Sequence, residues 1–212
     1  MSKLLFIMVL LFSFQMTSLS QHGYGTELTG NFLVPIGKNA EYYNIGFGGL
    51  VGFYYDIAEN FRMALVLGYL RAGINEDKVN SLYASGGQEA SIEGGVGVIP
   101  ALISLRLISP GPGMRLYGLI EGGLYSYNTS FSGTYGGGAP VDESEFRSEP
   151  GIAFGGGVLF PFNEELLLDV NVRYHWVQDS EYINYQGSSI ANSRVLSFGI
   201  GVNWFFPLTS SK

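Results

Sequence analysis

The chain of 212 residues has no cysteine and only two histidines, His22 and His175. A disulfide framework, a thiolate metal site and a cysteine nucleophile are therefore excluded, and two distant imidazoles make a poor metal centre. Charge is scarce as well: Asp, Glu, Lys and Arg supply 14% of the residues, where an average globular chain carries about a quarter. Beyond the N-terminus no stretch approaches 18 consecutive apolar residues, so helical membrane spans are excluded too. The formal net charge of −7 argues against nucleic acid as a partner.

The first twenty residues read as a cleaved secretory signal. Lys3 supplies the positive start, residues 4–14 an apolar stretch too short to span a bilayer, and Ser18-Leu19-Ser20 a small-x-small cleavage site before Gln21. No cysteine stands there to carry a lipid. The expected organisation is a signal over 1–20, one domain over 21–206 and a short tail over 207–212.

What fills that domain is alternation. Over 194–206, Leu196, Phe198, Ile200, Val202, Trp204 and Phe206 share one face, with Ser197, Gly199, Gly201 and Asn203 on the other. Over 166–177, Leu166, Leu168, Val170, Val172, Tyr174 and Trp176 oppose Asp169, Asn171, Arg173 and His175. A soluble strand would bury the apolar face and surround itself with charge. In a chain this poor in charge, alternating segments of about ten residues with aromatic ends read instead as bilayer-crossing strands, apolar toward lipid and polar toward a lumen. A soluble lipocalin-like barrel, with the faces reversed, is the competing fold.

Earlier segments follow the same rule. Residues 24–35 point Glu27 inward, 45–57 point Tyr54 and Asp56 inward, and 61–70 point Arg62 inward. In 91–107, Ile92, Val96, Val98 and Leu102 are expected outward against Glu93, with a bulge at Pro100 that brings Arg106 inward. Residues 114–127 set Arg115, Tyr117, Glu121 and Tyr125 inward, and 152–162 set Ile152, Phe154 and Phe160 outward. The count is eight strands. Turns near 58–60, 109–113 and 163–164 are short, while the connections 36–44, 74–90, 131–149 and 178–192 are long and taken as loops. The reading is an all-β, eight-stranded antiparallel up-and-down transmembrane barrel, with both termini on the short-turn, periplasmic side.

On strand count, loop asymmetry and the closing segment with Phe198, Gly199, Gly201, Trp204 and Phe206, the chain resembles the small eight-stranded outer-membrane barrels of the OmpA-domain, OmpX and opacity-protein type. That resemblance implies the outer membrane of a Gram-negative cell, contact with outer-membrane lipid and lipopolysaccharide, and a C-terminal aromatic signal for the barrel-assembly machinery. The six residues after Phe206 place this signal just inside the chain end. Most members of that family are structural, adhesive or resistance proteins, which implies a non-enzymatic role; a minority conduct or catalyse.

The inward list gathers Glu27, Glu93, Glu121 and Asp169 against Arg62, Arg115 and Arg173, with His175 above them. Charges of both signs in a narrow lumen must pair, because an unpaired buried charge costs several kcal/mol. Eight strands enclose a space that side chains just fill, so a polar plug is expected over an ion gate, and a small pore or conduit for ions or apolar solutes is the alternative. Asp169 and Arg173 lie about 13 Å apart along their strand and must find partners on other strands. A lipid A-modifying enzyme is less favoured, since no serine stands beside His175 in sequence. Glycine clusters such as Gly155-Gly156-Gly157 lie within strands, the wrong context for a phosphate loop. No cofactor is expected. Ten acids in the long connections (Glu41, Glu76, Asp77, Glu89, Asp142, Glu143, Glu145, Glu149, Asp179, Glu181) face three bases (Lys38, Lys78, Arg147) and match the net charge of −7. They mark a strongly acidic surface, open to an extracellular partner of unknown identity.

Overall fold

A computed structural model describes residues 23–37, 40–84, 90–135, 139–178, 183–185, 188–190 and 194–207. The signal over 1–20, the start at Gln21, His22 and nearly all of the tail lie outside the described residues. Eight strands close a barrel: β1 (Gly23–Pro35), β2 (Gly46–Ala58), β3 (Phe61–Gly73), β4 (Ala90–Ile108), β5 (Arg115–Tyr135), β6 (Ala139–Pro161), β7 (Leu166–Val177) and, after a small hairpin, β10 (Arg194–Pro207). The order around the barrel is β1-β10-β7-β6-β5-β4-β3-β2, every pair antiparallel. The closing seam runs unbroken from Gly23↔Pro207 to Pro35↔Val195. No sheet edge is left within the barrel wall, which is the condition for strands in lipid.

Alternation decides the faces. Leu28, Val51, Leu65, Ile120, Val170 and Ile200 are exposed on the outside, Ile200 at 74%, while Glu27, Thr29, Arg62, Glu121, Asp169 and Asn203 are buried within. A surface of exposed leucine, isoleucine, valine and phenylalanine over the whole wall is far beyond the apolar patch a water-soluble monomer carries. Aromatic side chains bound it: Tyr24, Tyr55, Phe162, Trp204 and Phe206 are exposed at the terminal end, Phe47, Tyr69 and Trp176 toward the far rim. Tyr24 stacks on Phe206 with centroids 5.5 Å apart, and Trp204 on Phe206 at 6.2 Å.

The turns at the terminal end are short and self-capped. Asn163 accepts from the backbone N–H of Glu165 and Leu166 at 2.9 and 2.7 Å. Ser109 bonds Leu116 in both directions, from its N–H to the carbonyl at 2.7 Å and through Oγ at 2.9 Å.

Five expectations need correction. Strand β4 sits in the opposite phase: Ile92, Val96 and Leu102 are buried within, and Ser91, Glu93, Ile99, Ile103, Leu105 and Leu107 are exposed outside. Glu93 is therefore not a lumen residue. Nor is there a bulge at Pro100, because the register with β5 holds from Ala90↔Tyr135 to Ile108↔Tyr117. The proline's missing N–H falls on the β3 side instead, where pairing passes from Leu67↔Ala101 to Leu70↔Val98 and skips the rungs between.

The connection 131–149 is largely not a loop. Strands β5 and β6 continue through it, paired as far as Tyr135↔Ala139, so most of its acids stand on strands that rise past the rim. The connection 74–90 holds a helix, α1 (Glu76–Tyr83), capped by Asn75, whose side chain accepts from the Lys78 N–H, with Glu76 and Asp77 in its first turn. The connection 178–192 contains a small hairpin of β8 (Ile183–Tyr185) and β9 (Ser188–Ile190).

Candidate functional site: the lumen

From the terminal end upward, the lumen is first ionic, then polar, then apolar. At the lowest level Arg62 holds Asp56 through two bonds, Nε to Oδ1 at 2.6 Å and a terminal nitrogen to Oδ2 at 3.1 Å. Its other terminal nitrogen donates to Asn203 at 3.1 Å, and its guanidinium lies 3.5 Å from the centre of the Tyr54 ring. Asp56 faces inward by its sequence position, yet it stands outside the charge network expected from sequence. Arg115 is half-buried at this end, and no carboxylate among the described residues lies within ion-pair distance of it.

One level up, Arg106 grips Glu27 with both terminal nitrogens, at 2.5 and 2.7 Å, and turns Nε to Ser104 at 3.3 Å. Both side chains are 1% exposed. This fork-on-carboxylate geometry is the strong form of an ion pair. Gly52 makes room for it: a Cβ there would stand 2.5 Å from Glu27 Cγ. Arg106 reaches the lumen as expected, though by the phase of β4 and not by a bulge.

Asp169 takes no arginine among the described residues. Its two oxygens accept from the Tyr117 hydroxyl at 2.8 and 3.0 Å and from Asn171 at 3.2 Å. Glu121 stands between two guanidinium groups, 3.7 Å from Arg173 Nε and 4.0 Å from a terminal nitrogen of Arg106. Among the described residues, neither oxygen of Glu121 and none of the three side-chain nitrogens of Arg173 has a hydrogen-bond partner, and both side chains are wholly enclosed. Proximity alone holds this charge pair.

Above it, His175 bridges Tyr125 and Ser197: Nδ1 lies 3.0 Å from the Tyr125 hydroxyl and Nε2 2.9 Å from Ser197 Oγ. A serine does stand beside His175, then, supplied by β10 from across the sheet, where motif spacing along the chain could not reveal it. Ser197 Oγ also donates to the Arg173 carbonyl at 3.5 Å. Beyond this level the lumen is lined by Leu33, Leu50, Val66, Leu70, Val96, Leu102 and Val177, with Ile74 and Val79 descending from the β3–β4 connection.

Of the eight side chains singled out from sequence, Glu27, Arg62, Glu121, Asp169, Arg173 and His175 are buried in the lumen, Arg115 sits at its lower rim and Glu93 lies outside. The participants missed are Tyr54, Asp56, Ser104, Tyr117, Tyr125, Asn171, Ser197 and Asn203, all but Ser104 readable as inward-facing from period two. In the closing segment Phe198, Trp204 and Phe206 face outward, while Gly199 and Gly201 face inward against Asn171 and Thr29.

No protein-family model matches the chain, and no characterised protein matches it in sequence. Its fold is that of the small eight-stranded outer-membrane barrels. The outer membrane protein OprG of Pseudomonas aeruginosa superposes with a TM-score of 0.54 at 11% identity, over 89% of this chain and 97% of that one. A major outer membrane protein of Thermus thermophilus gives 0.53 at 14%, over 86% and 99%. The attachment invasion locus protein Ail of Yersinia pestis, solved with the heparin analogue sucrose octasulfate, gives 0.50 at 15%, over 87% and 97%.

Proposed function

We propose that the chain is a non-enzymatic outer-membrane protein of structural and surface-interaction type, its lumen plugged, its termini periplasmic and its far rim facing the outside. The observation that carries this reading is the sheet that rises past that rim. Residues 139–149 of β6 pair with β5 on one side, while pairing with β7 begins only at Gly151↔Val177, next to a bond from the Gln178 N–H to the Pro150 carbonyl. On the other side of the same sheet, β4 is covered: its Ile92 N–H reaches the Asn80 side chain at 2.7 Å and its Gly94 carbonyl accepts from Ile74. One edge is thus blunted and the other left open among the described residues. An open edge is a template for an added strand, and Asp142 and Glu149 along it, with Glu145 already paired to Arg147, favour a cationic extended segment. Lipid and lipopolysaccharide surround the wall, and the outward aromatics of β10 serve the assembly machinery.

The test is amide exchange on the barrel refolded in lipid discs and titrated with an alternating Lys-Val peptide. Protection should appear at the alternate amides of 139–149 that point away from β5, and fade in high salt. Those edge amides already protected in the isolated barrel, or equal protection in a Ser144→Pro variant, refute the open edge.

A second reading, an acyl hydrolase, has the Ser197–His175 contact in its favour. Against it, Ser197 is only 1% exposed, and His175 is oriented by a tyrosine instead of a carboxylate. Mass spectrometry of lipid A from expressing and deleted cells should show one acyl pattern; a lost chain would establish the enzyme.

A further inference from the structure

The apolar half of the lumen holds a partly open cavity of about 70 Å³, walled largely by Leu33, Leu70, Val96, Val98 and Val177 and floored by Tyr125 and His175. Barrels of this class ordinarily line the lumen with polar groups; here the sequence spends aliphatic residues on it. A water occupies about 10–15 Å³ on such a measure and needs two to four polar partners. The space would fit about five waters, yet its walls are mostly apolar, with Tyr43, Arg71 and Tyr127 the other polar residues that line it, and the polar pair at the floor is already bonded to itself at 3.0 Å.

One side of the mouth is tied down by the protein's own backbone, and the rest stays open toward the outer rim. The β1–β2 connection bridges Tyr43 to Ile74, Asn44 takes the Gly73 and Ile74 carbonyls, and the Asn75 N–H meets the Tyr42 carbonyl at 2.8 Å. Below the floor, Arg173, Glu121, Arg106 and Glu27 cross the lumen and leave no way down. The chamber is apolar, sized for about six heavy atoms and closed at its inner end.

We propose that this chamber is a binding site for one small apolar molecule of single-ring size, entering from the outer rim and held without onward passage. A ligand hydroxyl would lie against the Tyr125 hydroxyl, which can accept a bond while donating to His175. The shape of the site follows from the two-part lumen: aliphatic walls provide dispersion contact, and the charge plug stops transit.

The probes are 4-fluorophenol and fluorobenzene, followed by fluorine NMR with the full barrel in lipid discs and protein-free discs as the partition control. Both should show saturable uptake above the control. Val96→Phe and Val177→Phe, on different strands, should each weaken it at least tenfold. Tyr125→Phe should weaken fluorophenol several-fold more than fluorobenzene. A heat-modifiability gel shift confirms that each variant is folded. Uptake by the wild type equal to that of empty discs overturns the proposal, whatever the variants do, as does saturable uptake that survives in a folded, cavity-filled variant.

Discussion

Replacing Arg106 with methionine probes the lumen where it is tightest. The side chain keeps comparable length, but Glu27 loses both donors, at 2.5 and 2.7 Å, in a setting where each partner is 1% exposed. Among the described residues no other side chain donates to the Glu27 carboxylate, so a bare charge remains in an enclosed space. Breaking a buried pair from one side costs about 3–5 kcal/mol. With a urea slope of about 2 kcal/mol per molar, the unfolding midpoint should fall by about 2 M. The double variant Glu27→Gln/Arg106→Met should recover most of that loss, since removing both charges also removes the desolvation they suffer. Urea unfolding in lipid vesicles, read by tryptophan fluorescence from Trp176 and Trp204, measures both. A single-variant cost under about 1 kcal/mol, the value of a hydrated surface pair, would show water around Glu27 and refute the dry plug.

Further consequences follow from neighbouring residues. Glu121 and Arg173 are enclosed without hydrogen bonds, so Glu121→Leu/Arg173→Met together should be neutral or stabilising, while Arg173→Met alone should destabilise by about 3–5 kcal/mol; equal loss in both variants would contradict this. Gly52→Val should crowd Glu27 and cost about 1–3 kcal/mol as overpacking, whereas Gly122→Val, with no atom within 4 Å of its Cβ, should cost far less in the same unfolding assay. Val170→Arg, on the exposed wall between Val158 and Ile200, should cost about 2–4 kcal/mol in vesicles if that wall faces hydrocarbon; a neutral result would place it in water.

Strands β1, β2, β7 and β10 were legible from sequence because one face of each is apolar and the other carries mostly glycine, amides or charge, and β3 because Arg62 fixed the phase of its inward face against Met63, Leu65, Leu67 and Tyr69. Strand β4 was not, for a physical reason: its lumen face carries Ile92, Val96, Val98 and Leu102 because the far half of the lumen is apolar, so both faces look alike and the assumption of a polar lumen picks the wrong one. The rising arms of β5 and β6 are rich in glycine, serine and acids, the composition of a loop, yet Thr129 and Phe131 keep the alternation going inward. Helix α1 is eight residues long, too short for a period to emerge, though Asn75 before Glu76 and Asp77 was a readable start signal. Which charges face inward follows from period two. Which of them meet does not, because the partners are 79 residues apart for Arg106 and Glu27 and 141 for Arg62 and Asn203, and the stagger of the closed sheet decides the level of each.

The sealed lumen is tested most directly by planar-bilayer recording from the refolded barrel. With Arg62, Arg106, Arg173 and Glu121 fully buried across the interior, the wild type should give no steady openings at any voltage the bilayer tolerates. Sustained ohmic conductance from folded, heat-modifiable protein would contradict the plug and make the charge network the lining of a pore.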